Sequence, residues 1–353
     1  MATNEPLRVL MLGWGFPPKV TGGLDTAVAG LYEEFQRRDD VEIELVLPEE
    51  FAPEGRPNIH GVPTGDGDLI TRVDRMTDAF VDYAADADVV HTNDWFGYNP
   101  GSAAQQAHDV TWVTCFHSLS SERNRDPPKV ETDAERRIVE EADHLLTVSE
   151  ITRGRIVEQF GGDPTVIYNG YPQLEPTGRD FKVELGIDGE MLFFVGRHTH
   201  QKGIDHLLAA VERLSRDDVT LVVGGSGHLT DQLKRFVEML DIGDAVRFVG
   251  YVPEEDLADY YASADLFVSP SIAEPFGLAI VEALSVDTRV VTTECGAAEV
   301  LPDECLTIVD PDSRSIARGI QYELANDIPI EYEHRGWDVV ADEHVEFYRS
   351  ILD

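Results

Sequence analysis

The sequence predicts an α/β protein made of two doubly wound parallel-sheet domains that face a cleft. Three observations predict it. Short apolar runs alternate with helical patterns along the whole chain, which is the signature of parallel strands joined by covering helices. A stretch rich in glycine, proline and charge, residues 169–188, interrupts that rhythm near the middle. The residue combinations that carry chemistry fall at the carboxyl ends of predicted strands, where doubly wound sheets bind ligands. At 353 residues the chain is long enough for two substantial cores.

The first-half strands are expected at 7–12, 41–47, 88–91, 111–116, 144–148 and 165–167. Those of the second half are expected at 191–195, 219–223, 245–249, 265–268, 289–292 and 305–308. Residues 169–188 are the linker candidate. The division is therefore 1–168 for an N-terminal, acceptor-side domain and 169–334 for the second domain. The last stretch, 337–352, has the apolar spacing of an amphipathic helix.

The most informative motif is Ser271-Ile272-Ala273-Glu274-Pro275-Phe276-Gly277-Leu278-Ala279-Ile280-Val281-Glu282. Pro275 and Gly277 disfavour a helix interior, whereas Leu278 to Leu284 favours one, so a loop feeds a helix. Eight residues separate Glu274 from Glu282, a little over two helical turns, so the two carboxylates are expected on roughly one side. The first-turn N–H groups of Phe276, Gly277 and Leu278 lack intrahelical acceptors and are expected to point at the ligand. Two carboxylates flanking such an end suit a long ligand with hydroxyls at both ends and a charged middle, as in a nucleotide sugar. The charged middle needs cations. Arg197 lies at a strand end and Lys202 just before the helical pattern 204–214, and both could reach a diphosphate. Lysine occurs only five times in the chain, which sets Lys202 apart from surface filler.

Four pieces in this order and spacing resemble one family: Gly196-Arg197 with Lys202-Gly203, Gly224-Gly225-Ser226-Gly227, Val249-Gly250-Tyr251-Val252, and the run from Glu274 to Glu282. Residues 193–300 look like the nucleotide-sugar domain of the family-4 retaining glycosyltransferases, which have the GT-B fold of two Rossmann-like domains. The glycogen, starch and sucrose synthase branch is the nearest in kind. The resemblance implies that Glu274 contacts the donor sugar hydroxyls, Glu282 holds the ribose, and Arg197 and Lys202 bind the diphosphate. It implies a base-binding loop at Tyr251 and a glycine loop at Gly22-Gly23 that approaches the donor. It places His117 beside the donor sugar, and it sets Asp94 and Trp95, in His91-Thr92-Asn93-Asp94-Trp95, on the acceptor side. A closing helix at 335–353 is expected to cross back onto the N-terminal domain.

The implied reaction is hexosyl transfer from a UDP, GDP or ADP sugar, with anomeric configuration retained and no cofactor. No nucleophile for a double displacement is singled out, so a front-face mechanism is what the resemblance implies. Catalytic roles fall to Glu274, His117, Arg197 and Lys202. No metal is expected, because cations and helix termini can stabilise the leaving diphosphate. Asp86-Ala87-Asp88 has metal-motif spacing but precedes a buried strand. The acceptor is a carbohydrate or a lipid-linked glycan, the latter requiring peripheral membrane contact. Rival readings are a nucleotide-sugar epimerase of the same architecture, a glycan phosphorylase, and a catalytically silent nucleotide-sugar-binding protein. No lysine placed for a pyridoxal phosphate Schiff base supports the phosphorylase. The joint presence of His117, Arg197, Lys202 and Glu274 weighs against the silent protein.

Charge gives a separate expectation. Acidic residues number 67 against 28 basic ones, for a formal net charge of −39. The acids are spread along the helices rather than gathered in a tail. Self-repulsion of this size disfavours a compact state in dilute salt, whereas in molar salt the screening length falls to roughly 3 Å. The composition resembles that of halophilic cytosolic proteins. No basic stripe favours nucleic acid. No apolar run approaches a membrane span, no secretory start is visible, and Cys115, Cys295 and Cys305 lack a metal or disulfide spacing.

Overall fold

The computed structural model describes residues 5–19, 22–326 and 330–352. The chain divides into two compact units, Met1–Gly170 with Arg335–Asp353, and Tyr171–His334. In the first unit the apolar runs form β1 (Leu7–Leu12), β2 (Val41–Pro48), β3 (Ile59–Val62), β4 (Val89–Asn93), β5 (Thr111–Phe116), β6 (His144–Thr147) and β7 (Thr165–Val166). They pair in the order β3-β2-β1-β4-β5-β6-β7, every pairing parallel. The second unit contains β8 (Glu190–Val195), β9 (Val219–Gly224), β10 (Val246–Gly250), β11 (Leu266–Ser269), β12 (Val290–Thr292) and β13 (Leu306–Ile308). Their order is β10-β9-β8-β11-β12-β13, again wholly parallel. Two Rossmann-like domains are thus present, and the strands lie within a residue or two of their expected positions.

Strands buried on both faces need near-continuous apolar sequence: β8 has it from Met191 to Val195 and β9 from Leu221 to Val223, and β1 is apolar but for the exposed Arg8. In the second unit, helices Ile204–Leu214 and Ser313–Ala325 cover one face through Leu207, Leu208, Val211, Ile316 and Ile320. In the first unit, Met76 and Phe80 of helix Leu69–Ala84 join Trp112, Phe116 and Ile138 in the core. Strand β3 was not anticipated. It is a four-residue edge strand, Ile59-His60-Gly61-Val62, too short to show a period, and pairing with β2 supplies its order.

The linker expectation is corrected from Tyr171 onward. Gly170 belongs to the first unit, but residues 177–184 pack onto the second. Thr177 and Gly178 donate to the two carboxylate oxygens of Asp259 at 2.6 and 2.9 Å, and the Phe181 ring stacks on Tyr260 at 3.6 Å. Glycine, proline and charge here make turns that end on a buried carboxylate, not a free tether.

The final helix, Trp337–Leu352, lies against helix Gly23–Gln36 within the first unit. Gly30 has no side chain because the Trp337 indole occupies that space. Tyr348 packs on Phe35 and shares a 2.5 Å hydrogen bond with His91 Nδ1. Among the described residues, no helix is long and apolar enough to cross a membrane.

Candidate active site

In each sheet the strand order reverses between two neighbours, β1 and β4 in the first unit, β8 and β11 in the second. The crevice beyond such a pair is where doubly wound folds bind ligands. In the second unit, β8 leads through Gly196 to the exposed Arg197 and a tight turn, His200–Lys202. Gly203 then adopts φ +58°, and any Cβ there would overlap the Pro270 carbonyl oxygen. This close approach docks the loop on the segment after β11. Ile272 N donates to Gln201 O at 2.7 Å, and Gln201 Nε2 to Ala273 O at 3.2 Å.

The docking brings together two residues that are 72 positions apart. Lys202 Nζ lies 2.7 Å from Glu274 Oε2, which also accepts a 2.8 Å hydrogen bond from Ser271 Oγ. Glu274 is buried and sits in an isolated parallel bridge with Cys295. Ala297 N donates to Phe276 O at 2.9 Å, and Thr293 Oγ1 to Ser271 O at 2.5 Å. The loop carrying Glu274 is therefore fastened on two sides.

The helix starts only at Leu278, after Gly277 at φ +99°. The loop feeding a helix over Leu278–Leu284 is as expected; Glu282 lies one turn into the helix, and loop geometry rather than a helical repeat sets Glu274. Glu282 is partly exposed, and its Oε2 accepts a 3.0 Å hydrogen bond from Tyr261 Oη. Burial of the carboxyl pushes its pKa up to about 7, against the opposing pull of the Tyr261 hydroxyl.

Gly225 follows β9 at φ +97°, where a Cβ would overlap the Gly196 carbonyl oxygen, and its N–H donates to Gly250 O at 2.6 Å. This ties the ends of β8, β9 and β10 together. Tyr251 comes next after Gly250 and is 67% exposed. Ser271 and Gln201 position the site but carried no sequence signal, because single polar loop residues form no pattern.

In the first unit, β1 leads to the glycine loop. Gly22 is the extended residue that precedes helix Gly23–Gln36, and Asp25 Oδ1, deeply buried, accepts from Gly15 N at 2.8 Å. Residues 20 and 21 of that loop lie outside the described residues. His117 follows β5. Its Nε2 is 2.9 Å from Asn93 Oδ1, while Asn93 Nδ2 donates to Leu12 O at 2.7 Å. That second bond fixes the amide so that Oδ1 must accept, and Nε2 of His117 must carry the proton. Burial pushes the His117 pKa down, with Asp94 and Asp25 pulling the other way, so the neutral ring keeps Nδ1 as an acceptor.

Asp94, expected on the acceptor side, has its carboxylate engaged within the first unit, accepting from the N–H groups of His117 and Ser118 at 2.8 and 3.2 Å and from Arg123 Nη1 at 3.2 Å. Trp95 is also largely buried, packed on Phe96 and bordering a cavity of about 380 Å³ between Ile70, Tyr98, Val130 and Arg137. Asp88 is paired with Arg8. Among the described residues, no three His, Cys, Asp or Glu side chains converge as metal ligands.

The sequence and the fold have known counterparts. Residues 179–335 match the family described as Glycosyl transferases group 1, and residues 21–172 match Glycosyltransferase Family 4. The chain is 30% identical to the alpha-maltose-1-phosphate synthase of Mycolicibacterium smegmatis, over 98% of this chain and 100% of that one. Its fold is similar to that of sucrose-phosphate synthase from Thermosynechococcus elongatus, with a TM-score of 0.82 at 22% identity, covering 98% and 99% of the two chains. It is also similar to an Anabaena protein solved in complex with UDP and glucose, with a TM-score of 0.78 at 18% identity, covering 98% and 100%.

Proposed function

The chain belongs to the group 1, family 4 glycosyltransferases, and from that premise we propose that it transfers a hexosyl group from a nucleoside diphosphate sugar to a carbohydrate or lipid-linked glycan, with retention. The carrying observation is the Lys202–Glu274 pair at the β8/β11 crevice. A buried carboxylate touching a cation supplies, side by side, a group for sugar hydroxyls and a group for a departing diphosphate. In this reading Arg197 and Lys202 take the diphosphate, and Glu274 exchanges part of its Lys202 contact for donor hydroxyls. Glu282 holds the ribose beside Tyr261, and the exposed Tyr251 face lies against the base. The N–H groups at the start of helix Leu278–Leu284 add positive potential. His117 accepts a sugar hydroxyl at Nδ1. The leaving phosphate takes the acceptor proton on the same face, as the resemblance to the retaining glycosyltransferases implies. The UDP and glucose held by the Anabaena relative support a donor of this class.

The deciding experiment is a panel of UDP-, GDP- and ADP-hexoses in molar potassium chloride, scored by thermal shift and by product mass. One donor should raise the melting temperature and yield a glycosylated acceptor. Binding without any transferred sugar across a set of glucan and lipid-linked acceptors would overturn the transferase reading.

Two expected results follow from the same site. Activity should survive EDTA in molar salt, since Arg197 and Lys202 supply the positive charge a divalent ion would otherwise provide. It should be lost together with the fold on dilution to low salt, where the net charge of −39 is unscreened. Loss of turnover in EDTA with intact circular dichroism would expose a metal requirement.

The second result concerns pH. Ribose hydroxyls are held better by an ionised Glu282, whose pKa is raised to about 7. Nucleoside diphosphate affinity should therefore tighten several-fold between pH 6 and 8, and Glu282→Gln should remove that component. For the free protein the sign is opposite. A carboxyl with a raised folded pKa favours folding below its unfolded value, and that contribution is lost as pH rises through about 7.

A further inference from the structure

Most acids in this chain lie at the surface, yet three carboxylates are buried around a single turn. Asp94, Glu122 and Glu135 retain 4%, 7% and 0% of their exposure. They accept hydrogen bonds from four consecutive backbone amides. His117 N and Ser118 N donate to Asp94 Oδ1 at 2.8 and 3.2 Å, Leu119 N to Glu122 Oε2 at 2.5 Å, and Ser120 N to Glu135 Oε1 at 2.6 Å. Two arginines neutralise these acids: Arg155 pairs with Glu122, and Arg123 serves the rest. Arg123 Nη1 donates to Asp94 Oδ2 at 3.2 Å, to Ser118 Oγ at 2.7 Å and to Ser118 O at 3.2 Å. Its Nη2 donates to Glu131 Oε2 at 3.2 Å and lies 4.0 Å from Glu135 Oε1.

Burying three carboxylates and a guanidinium is expensive, and such a cluster is weak evidence for stability in its own right. Here it fixes one object. Asp94 is held at φ +48°, an uncommon conformation for a residue other than glycine, with its N–H on Cys115 O at 2.9 Å. That posture aims its carboxylate across the end of β5 at the His117 turn. With all four amides of the turn satisfied inside the protein, the turn has no N–H to offer an anion. It presents the His117 imidazole instead.

We propose that Arg123 is a positioning residue for His117: by clamping Asp94, Glu131, Glu135 and Ser118 together, it fixes the turn that aims the imidazole acceptor. The proposal rests on the catalytic reading of His117 given above. The Arg123 side chain is only 17% exposed and both of its Nη atoms donate to protein acceptors, so Arg123 acts through Asp94 rather than on substrate.

The test uses the full chain in molar potassium chloride with three readouts: transfer kinetics, nucleoside diphosphate affinity, and NMR titration of the His117 ring. The binding probe is whichever of UDP, GDP and ADP stabilises the wild type. Arg123→Met should lower kcat about 100-fold while nucleotide affinity, which depends on second-unit residues, stays within twofold. Arg123→Lys should recover part of the loss, because it keeps the charge without the fork. With Asp94 left uncompensated, the His117 ring should titrate at higher pH in Arg123→Met and return toward wild type in Arg123→Met/Asp94→Asn. Asp25, His91 and His344 also act on this group of rings and are unchanged in every variant. The double variant also removes the Asp94 charge that Arg123→Met leaves stranded, so it serves if Arg123→Met alone does not fold. A folded variant with kcat within threefold of wild type, or an unmoved His117 titration, overturns the proposal. His117→Ala separates the two claims: if that variant keeps full activity, the catalytic reading of His117 has failed rather than the clamp.

Discussion

Glu274→Gln should lower the transfer rate by about 10²–10³-fold while free nucleoside diphosphate binds as tightly as to wild type, or more tightly. The substitution keeps the volume and an acceptor for Ser271 Oγ, but removes the charge that faces Lys202 Nζ at 2.7 Å. Lys202 is then fully available to a diphosphate, so nucleotide affinity has no reason to fall. Sugar hydroxyls lose an anionic acceptor in a buried site, where charge-assisted hydrogen bonds are worth most. The measurement is kcat on the selected donor beside calorimetric affinity for its nucleoside diphosphate. Glu282→Gln is the comparison and should weaken both nucleotide and nucleotide sugar, because ribose is common to them. Identical behaviour of the two variants toward the free nucleotide would show that the proposed ligand orientation is wrong.

The second large effect is expected from Lys202→Ala. Loss of a charge-assisted contact should weaken nucleoside diphosphate binding by about 1.5–3 kcal/mol, or roughly 10- to 150-fold. Arg197→Ala should do the same to the nucleotide without a comparable change in the stability of Glu274. The Lys202 variant has an additional consequence that only the ion pair reveals. It leaves Glu274 buried without its cation, which costs 3–5 kcal/mol for fully buried pairs. Lys202 is 21% exposed, so the discounted figure is about 1–2 kcal/mol. Lys202→Met/Glu274→Gln should regain that stability without regaining activity. If Lys202→Ala binds nucleotide normally, Lys202 serves Glu274 alone and the diphosphate assignment falls to Arg197.

Which parts of this were legible in the sequence follows from the range of the forces involved. Strands such as Leu7–Leu12 and Val219–Gly224 are set by local composition, since a strand buried on both faces is nearly all apolar. Helix Ile204–Leu214 carries its own amphipathic period. Gly203, Gly225 and Gly277 mark places where only glycine suits the backbone, so their spacing was informative before any fold was known. The net charge of −39 is likewise a property of the sequence alone.

Tertiary structure decided what long-range geometry controls. Strand Ile59–Val62 is ordered by its neighbour β2 rather than by its own four residues. Asp94 reads in sequence as one member of a short motif, yet its partners, His117 and Arg123, are 23 and 29 positions away and meet it only where β4 and β5 end side by side. The direct contact of Lys202 with Glu274 depends on Gly203 approaching Pro270, a constraint no spacing rule contains. Residue identity and local periodicity thus determined the elements and the kinds of chemistry available. Which charges neutralise one another was decided by the fold, because Coulomb and hydrogen-bond partners are chosen by distances of about 3 Å, and only chain packing sets those.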